Sequence, residues 1–235
     1  MGHSAKLLSV IVPVYNEATT IGEVIEKVSA VDLPIEKEII VVDDGSTDGT
    51  VDVIRLSSKP ISNTYFTPVN IGKGAAVRIG LTLAKGDIIL IQDADLELEP
   101  MEYNRLLQPI FAGETSVVYG SRFLQRNQVP KGRRLANYFL TATANTLYRT
   151  RLTDMFTAYK VFTNDVAREL VLTANRFEIE AEITAQIALL GHRIHEVPIT
   201  YRPRTRAEGK KIKWQDGVKA IWTLVKYRVA FLRED

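Results

Sequence analysis

The chain has 235 residues, 46% of them hydrophobic and 25% charged, which suits one large globular domain with a full hydrophobic core. Its 30 Lys and Arg residues nearly balance its 28 Asp and Glu residues, so the net charge points to no class of partner. The absence of cysteine excludes disulfides and thiolate metal sites, and the presence of only three histidines argues against a zinc centre.

The sequence predicts alternating buried strands and helices. A proline-terminated first strand is followed by a helix with apolar residues at helical spacing, and the pattern then repeats. Predicted strands cover residues 7–15, 37–44, 63–67, 88–91, 115–120 and 192–201, and predicted helices begin near residues 19, 50, 75, 100, 137, 175 and 214. This alternation predicts an α/β fold with a Rossmann-like, mainly parallel sheet flanked by helices, and Pro198 marks the last strand as an edge.

Paired carboxylates follow two of the predicted strands. Asp43-Asp44 ends the second strand, and Asp93-Ala94-Asp95 follows the fourth. Open α/β sheets bind ligands at the carboxyl ends of their strands. Two negative charges beside a buried strand need a compensating cation. The simplest hypothesis is Mg²⁺ or Mn²⁺, held by the carboxylates and by the phosphates of a bound ligand. An isolated Asp-x-Asp is more often a solvated turn, so this motif alone does not decide.

A glycine-rich segment precedes the third predicted helix. Gly72-Lys73-Gly74 follows Asn70, and free backbone N–H groups at a helix start attract phosphate. The segment matches neither the Walker P-loop nor the G-x-G-x-x-G dinucleotide motif. Lys73 alone is more often a surface charge than a ligand.

Two cationic segments lie in the second half of the chain. Residues 122–134 hold five Arg or Lys residues without an acid and predict a loop, which is either solvated surface or a cradle for an anionic substrate. Residues 202–213 are similarly basic but lack the interleaved aromatic residues of single-stranded nucleic-acid binders, so we expect no nucleic-acid partner. The last predicted helix is amphipathic, and packing on the protein core is the more usual role than lying on a membrane. The predicted apolar face holds Trp214, Val218, Ile221, Trp222, Val225, Val229 and Leu232.

Four motifs together resemble the inverting family-two glycosyltransferases of GT-A fold, above all the polyprenyl (dolichyl) phosphate mannose or glucose synthases. The similarity spans residues 7–213, and the four motifs stand in the same order and spacing. They are Pro13-Val14-Tyr15-Asn16-Glu17, Val42-Asp43-Asp44-Gly45-Ser46-Thr47-Asp48, Asn70-Ile71-Gly72-Lys73-Gly74 and Asp93-Ala94-Asp95-Leu96-Glu97. The resemblance implies a GT-A catalytic domain over residues 1–213. It implies a helix over residues 214–235 that packs on the domain or lies at the membrane surface.

The resemblance also implies substrates. The donor is a nucleotide sugar, with GDP-mannose favoured over UDP-glucose, and the acceptor is a polyprenyl or dolichyl phosphate. Implied nucleotide-sugar-binding residues are Pro13, Val14, Tyr15, Glu17, Val42, Asp44, Asn70, Lys73, Asp93, Ala94, Asp95 and Lys211.

The implied metal ion is Mg²⁺ or Mn²⁺, with Asp93, Asp95 and Glu97 as its ligands. Mannose synthases commonly carry Gln where this chain has Glu97, so the donor sugar stays open.

The resemblance assigns catalytic roles to one acid and three arginines: Asp95, Arg122, Arg134 and Arg204. Asp95 bridges through the metal to the diphosphate, while the arginines hold the acceptor phosphate; Arg133 is the alternative to Arg134. A phosphate oxygen is already ionised near neutral pH, so the acceptor needs no strong general base. Single displacement then inverts the anomeric centre.

Three other functions remain open. Transfer to a small soluble acceptor requires a carboxylate base, for which Glu180, Glu182 and Asp154 are candidates. A catalytically silent nucleotide-sugar-binding module is the non-enzyme alternative, against which the intact Asp93 and Asp95 argue. Nucleotidyl transfer is disfavoured because the glycine-rich N-terminal loop of such enzymes is missing.

No apolar stretch approaches the ~20 residues that cross a bilayer, and no signal-peptide pattern opens the chain. We therefore expect a cytoplasmic protein, with peripheral contact at the cytosolic membrane face left open.

Overall fold

The computed structural model describes residues 6–204 and 214–234. Within these ranges the strands form one seven-stranded sheet in the order β3-β2-β1-β4-β6-β5-β7. The strands are β1 (Leu7–Val14), β2 (Glu36–Asp43), β3 (Asn63–Phe66), β4 (Ile88–Ile91), β5 (Val117–Ser121), β6 (Lys160–Thr163) and β7 (Ile194–Pro198). The helices are α1 (Ile21–Ala30), α2 (Thr50–Arg55), α3 (Lys73–Leu83), α4 (Tyr103–Phe111), α5 (Lys131–Tyr148), α6 (Asn164–Glu169), α7 (Ile179–Leu189) and α8 (Trp214–Glu234), with a 3-10 helix at Pro100–Glu102.

The predicted mainly parallel sheet is confirmed, and its antiparallel part was missed. β1 to β4 are mutually parallel, and β7 runs parallel to β5 at the sheet edge. β6 lies antiparallel between β4 and β5. β6 has only four residues and begins with a lysine, so it shows no apolar run that predicts a strand.

Pro13 does not end β1, contrary to the prediction. It pairs with Val42 of β2, and β1 continues to Val14. On the other side of β1, pairing with β4 stops at Ile11. Pro13 therefore lies beyond the last β1–β4 pair, where its missing N–H disrupts no ladder on that side.

The predicted loop over residues 122–134 is too long. Helix α5 begins at Lys131, directly after Pro130, and the Arg134 N–H bonds the Pro130 carbonyl at 3.0 Å. Proline at a helix start needs no N–H partner, which explains the early beginning. Arg133 and Arg134 are therefore held on a helix and point in different directions.

Helix α8 packs on α5 and α7 through a different face from the one that the sequence predicts. Ala220 and Leu224 are fully buried there, whereas Trp214 is 78% and Trp222 67% exposed. The tryptophans predicted to share the packed face therefore face outward. Among the described helices, none has both the length and the apolar character to span a bilayer.

Candidate active site

A cavity of about 810 Å³ lies at the carboxyl ends of β1, β2 and β4. It is lined by most of the residues predicted from the sequence. They are Pro13, Val14, Tyr15, Glu17, Asp44, Asn70, Lys73, Asp93, Ala94, Asp95, Glu97, Arg122 and Arg204. The cavity thus brings together residues as far apart along the chain as Pro13 and Arg204, at the strand ends where open α/β sheets bind ligands.

Three predicted site residues are not placed in this cavity. Val42 packs in the core with Ile40 and Ala76. Arg134 is exposed beside Phe123, and its neighbour Arg133 lines the cavity instead. Lys211, and with it Lys210, lies outside the described residues.

Asp44 is the buried anchor of the segment before α3. Its carboxylate accepts hydrogen bonds from Asn70 Nδ2 at 2.7 Å, from the Ile71 N–H at 2.8 Å and from the Gly72 N–H at 2.7 Å. Burial raises its pKa, while the backbone N–H groups oppose the rise. Asp44 therefore shapes the cavity wall through backbone bonds.

Gly72 and Gly74 serve close packing rather than an open phosphate cradle. A Cβ at either position would lie 2.4 Å from a carbonyl oxygen, that of Asn175 or Ala174. Gly72 also has a φ of +129°, which L side chains rarely adopt. The Ala75 N–H at the start of α3 bonds the Asn175 carbonyl at 3.1 Å. The predicted anion site at this helix start is thus covered by the segment 173–176.

Lys73 joins two carboxylates in the cavity wall. Its Nζ lies 2.6 Å from Asp93 Oδ1 and 2.8 Å from Glu180 Oε1, and its side chain is 12% exposed. Burial alone would lower its pKa, but the charges of Asp93 and Glu180 outweigh burial and raise it. Lys73 is therefore a permanent cation inside the cavity, not a surface charge.

Asp95 is the carboxylate whose environment most favours a cation. Burial, followed by the charges of Asp93 and Glu97, raises the pKa of its carboxyl to about 7. A nearby divalent ion would relieve this repulsion, so the donor set fits Mg²⁺ or Mn²⁺.

Glu97, the third predicted metal ligand, is held by donors from other segments. The described residues contain no cluster of three or more His, Cys, Asp or Glu side chains arranged for a metal ion. The Glu97 carboxylate instead accepts bonds from Arg133 Nη1 at 3.0 Å, the Tyr201 hydroxyl at 3.1 Å and the Arg204 N–H at 2.8 Å. The role of Glu97 as a third metal ligand therefore stays a prediction.

Arg204 links the aspartate motif to the segment that follows β1. Its guanidinium contacts Glu17 at 2.7 and 3.1 Å, and its Nε donates to the Asp95 carbonyl at 2.6 Å. Glu17 also accepts a bond from the Thr20 hydroxyl at 2.8 Å. Arg204 thus orders the loop that carries Asp95 as well as lining the cavity.

Arg122 is held by a buried partner. Its Nε and Nη2 donate to the two carboxylate oxygens of Asp154 at 2.7 Å each, and Asp154 is fully buried. Its guanidinium carbon lies 5.3 Å from the ring centre of Tyr201. The bidentate pair fixes the direction of the guanidinium at the cavity wall.

The candidate general bases are all occupied by donors. Asp154 is paired with Arg122, and Glu180 with Lys73 and Lys160. Glu182 accepts bonds from the Thr173 N–H and the Tyr227 hydroxyl and does not line the cavity. This arrangement suits an acceptor that arrives already ionised.

Sequence reasoning missed several residues that line the cavity, among them Tyr201 and Trp214. Tyr201, whose hydroxyl bridges Glu97 and Arg133, preceded a basic segment and carried no motif of its own. Trp214 lines the cavity from α8, and its place could not be predicted because the contact joins distant parts of the chain.

Comparison with known proteins identifies the family. The model of the family described as Glycosyl transferase family 2 matches residues 9–171, more than half of the chain. The chain belongs to this family. It is therefore a glycosyltransferase, as the four motifs predicted.

Two relatives cover most of the chain. One is a dolichyl-phosphate beta-glucosyltransferase of Dictyostelium discoideum, 29% identical over 96% of this chain and 75% of the relative. Another is an undecaprenyl-phosphate mannosyltransferase of Micrococcus luteus, 28% identical over 85% of each protein.

A solved structure confirms the predicted GT-A fold. Glucosyl-3-phosphoglycerate synthase from Mycobacterium tuberculosis, in complex with Mn²⁺, uridine diphosphate and phosphoglyceric acid, superposes with a TM-score of 0.75. The match covers 95% of this chain and 78% of that chain at 22% identity. At this identity the likeness concerns the fold.

Proposed function

We propose that this glycosyltransferase moves a hexose from a nucleotide sugar to the phosphate of a polyprenyl lipid, with inversion at the anomeric carbon. One observation carries the proposal. A single cavity joins the aspartates and Lys73 to the three arginines Arg122, Arg133 and Arg204, and reaches the exposed Trp214. Relatives that act on dolichyl and undecaprenyl phosphate support this acceptor class.

The donor end of the cavity is suited to a sugar diphosphate. Asp93 and Asp95 would hold Mg²⁺ or Mn²⁺, which acts as a Lewis acid on the leaving diphosphate. Lys73 adds a fixed positive charge next to Asp93. GDP-mannose is favoured by the motif resemblance. Glucose is the sugar in the name of the Dictyostelium relative, and UDP-glucose is the donor crystallised with Mn²⁺ in a structural neighbour.

The acceptor end combines cations with an apolar wall. Arg122 and Arg133 line the cavity together with the apolar side chains of Leu140, Phe156 and Trp214. The positive charges of the two guanidinium groups attract a phosphate although both also pair within the protein, and apolar side chains suit the first isoprene units. Because the phosphate is ionised, its oxygen can attack the sugar without any of the occupied carboxylates acting as a base.

The test is transfer of radiolabelled hexose. Purified protein with Mn²⁺ is given labelled GDP-mannose or UDP-glucose, with polyprenyl phosphate, with phosphoglycerate or with no acceptor. We expect label in the organic phase only with polyprenyl phosphate, attached through a β-linkage. Label that stays in a new aqueous product with phosphoglycerate would instead establish a small anionic acceptor, the activity named for the structural neighbour. An α-linked lipid product would contradict inversion.

We further propose that the α5–α8 face rests on the membrane that holds the acceptor. Trp214, Trp222 and Val218 of α8 and Tyr138 and Phe139 of α5 are all more than half exposed. Exposed tryptophans beside lysines are typical of helices at a bilayer interface, and α8 carries Lys219 and Lys226.

Replacing both tryptophans with glutamate tests this contact. We expect Trp214→Glu/Trp222→Glu to lower binding to anionic phospholipid vesicles by at least roughly tenfold, because apolar burial is lost and negative charge is added. Leu56→Glu, at an 84% exposed position on the C-terminal end of α2, is the matched control and should bind like the wild type. Co-sedimentation measures both, and equal binding of all three proteins would contradict the proposed face.

A further inference from the structure

Lys160 is a fully buried lysine at the start of β6, outside every motif in the sequence. Its Nζ donates to Glu180 Oε2 and to the Thr157 carbonyl at 2.5 Å each, and to the Met155 carbonyl at 3.1 Å. These three acceptors match the three protons of an ammonium group. Burial lowers the pKa of Lys160, and the charge of Glu180 opposes this effect. Because these three acceptors, the Glu180 carboxylate among them, surround the ammonium group, we take the pair as Lys160 cation and Glu180 anion on its geometry.

Glu180 connects this buried cation to the cavity. Its other oxygen, Oε1, lies 2.8 Å from Lys73 Nζ, which in turn lies 2.6 Å from Asp93 Oδ1. Burial favours the protonated acid, but Lys160 and Lys73 prevail and lower the pKa of Glu180. Four side chains of alternating charge therefore run from the core to the aspartate motif: Lys160, Glu180, Lys73 and Asp93.

We infer that Lys160 is a positioning residue for the donor diphosphate, acting through Glu180 on Lys73. The inference rests on the proposed donor site at Lys73. Lys160 itself does not line the cavity, so it acts without touching the nucleotide.

The charge balance gives the physical reason. With Lys160 present, two cations share one carboxylate, and the group of Lys160, Glu180 and Lys73 keeps one net positive charge. Without Lys160, Glu180 and Lys73 form a neutral pair, and the full attraction of Glu180 falls on Lys73. Charge interactions in a partly buried site are weakly screened. The loss of one net positive charge near Lys73 therefore weakens the attraction of the site for the diphosphate.

Nucleotide binding by Lys160→Met tests the inference. Calorimetric titration with GDP and with UDP, in Mg²⁺ and without acceptor, gives the dissociation constants. We expect roughly tenfold weaker binding of whichever nucleotide the wild type prefers. Unchanged affinity in a folded Lys160→Met protein would overturn this inference alone. A wild type that binds neither nucleotide would overturn the proposed donor as well, whereas failure of lipid transfer leaves this measurement intact.

A double variant separates the charge effect from a purely structural role. Lys160→Met/Glu180→Gln removes one positive and one negative charge, so Lys73 again supplies one net positive charge. We expect its nucleotide affinity to return to within about threefold of the wild type, although each change alters the same buried contact. A structural role predicts no such recovery. If Lys160→Met does not fold, the double variant is compared directly with the wild type, and a tenfold loss there would overturn the inference.

Discussion

Asp95→Asn is expected to reduce hexose transfer by at least about 10³-fold, because electrostatic stabilisation of a leaving group is usually the largest catalytic contribution of such a site. Asparagine keeps the size of the side chain and its bond to the Glu97 N–H, which in the wild type measures 3.1 Å. It removes only the charge that would face the metal and diphosphate. Initial rates of labelled hexose transfer at saturating Mn²⁺ measure the effect.

Asp52→Asn is the matched control for this substitution. Asp52 lies exposed in the first turn of α2, away from the cavity, so the same chemical change should leave transfer at the wild-type rate. A substantial rate in Asp95→Asn would refute the metal-bridging role of Asp95.

Thermal unfolding of Asp95→Asn and of the wild type, both in a chelator, tests whether the Asp95 carboxyl has the raised pKa. Burial and the neighbouring acids raise the pKa of Asp95 to about 7, above the ~3.9 of an unfolded aspartate. The folded state then binds this proton more tightly, so wild-type stability falls as pH rises through this range. Asparagine does not titrate, so the variant should gain stability relative to the wild type as the pH rises from about 4 to about 7. Parallel pH curves would contradict the raised pKa.

The residues of the proposed donor side could be placed at the cavity from the sequence because they follow buried strands. Asp44, Asp93 and Asp95 come directly after apolar runs, and strands of a parallel sheet end at a common edge. The partners of Glu97 could not be predicted, since Arg133 and Tyr201 come from distant segments. Linear spacing carries no information on such contacts.

The acceptor side was harder to predict because it depends on helix boundaries and helix rotation. Arg133 and Arg134 are neighbours in a basic segment, and only the start of α5 at Lys131 decides which of them lines the cavity. Likewise, the apolar face of α8 was visible in the sequence. That Ala220 and Leu224 pack while Trp214 and Trp222 stay exposed depends on the partner helices.

Arg122→Ala is expected to lower the free energy of unfolding by about 3–5 kcal/mol, because it leaves the Asp154 carboxylate buried without its cation. The Arg122 side chain is 17% exposed and that of Asp154 is 0% exposed, so solvent screens this pair weakly. Urea unfolding measures the loss. Arg126→Ala, an exposed arginine in the same basic segment, should change stability by less than about 0.5 kcal/mol. Wild-type stability in Arg122→Ala would contradict the buried pair.

The double variant Arg122→Met/Asp154→Leu separates the contribution of Arg122 to stability from its role in hexose transfer. Replacing both partners of a buried ion pair with apolar residues of similar size is often neutral for stability, so this variant should recover most of the lost free energy. Transfer to polyprenyl phosphate should stay low, because the guanidinium at the cavity wall is absent while the donor aspartates are intact. The loss should appear with the lipid acceptor, and nucleotide affinity should match the wild type. If transfer recovered together with stability, Arg122 would be a structural residue, and Arg133 would be left as the arginine from this segment that binds the acceptor phosphate.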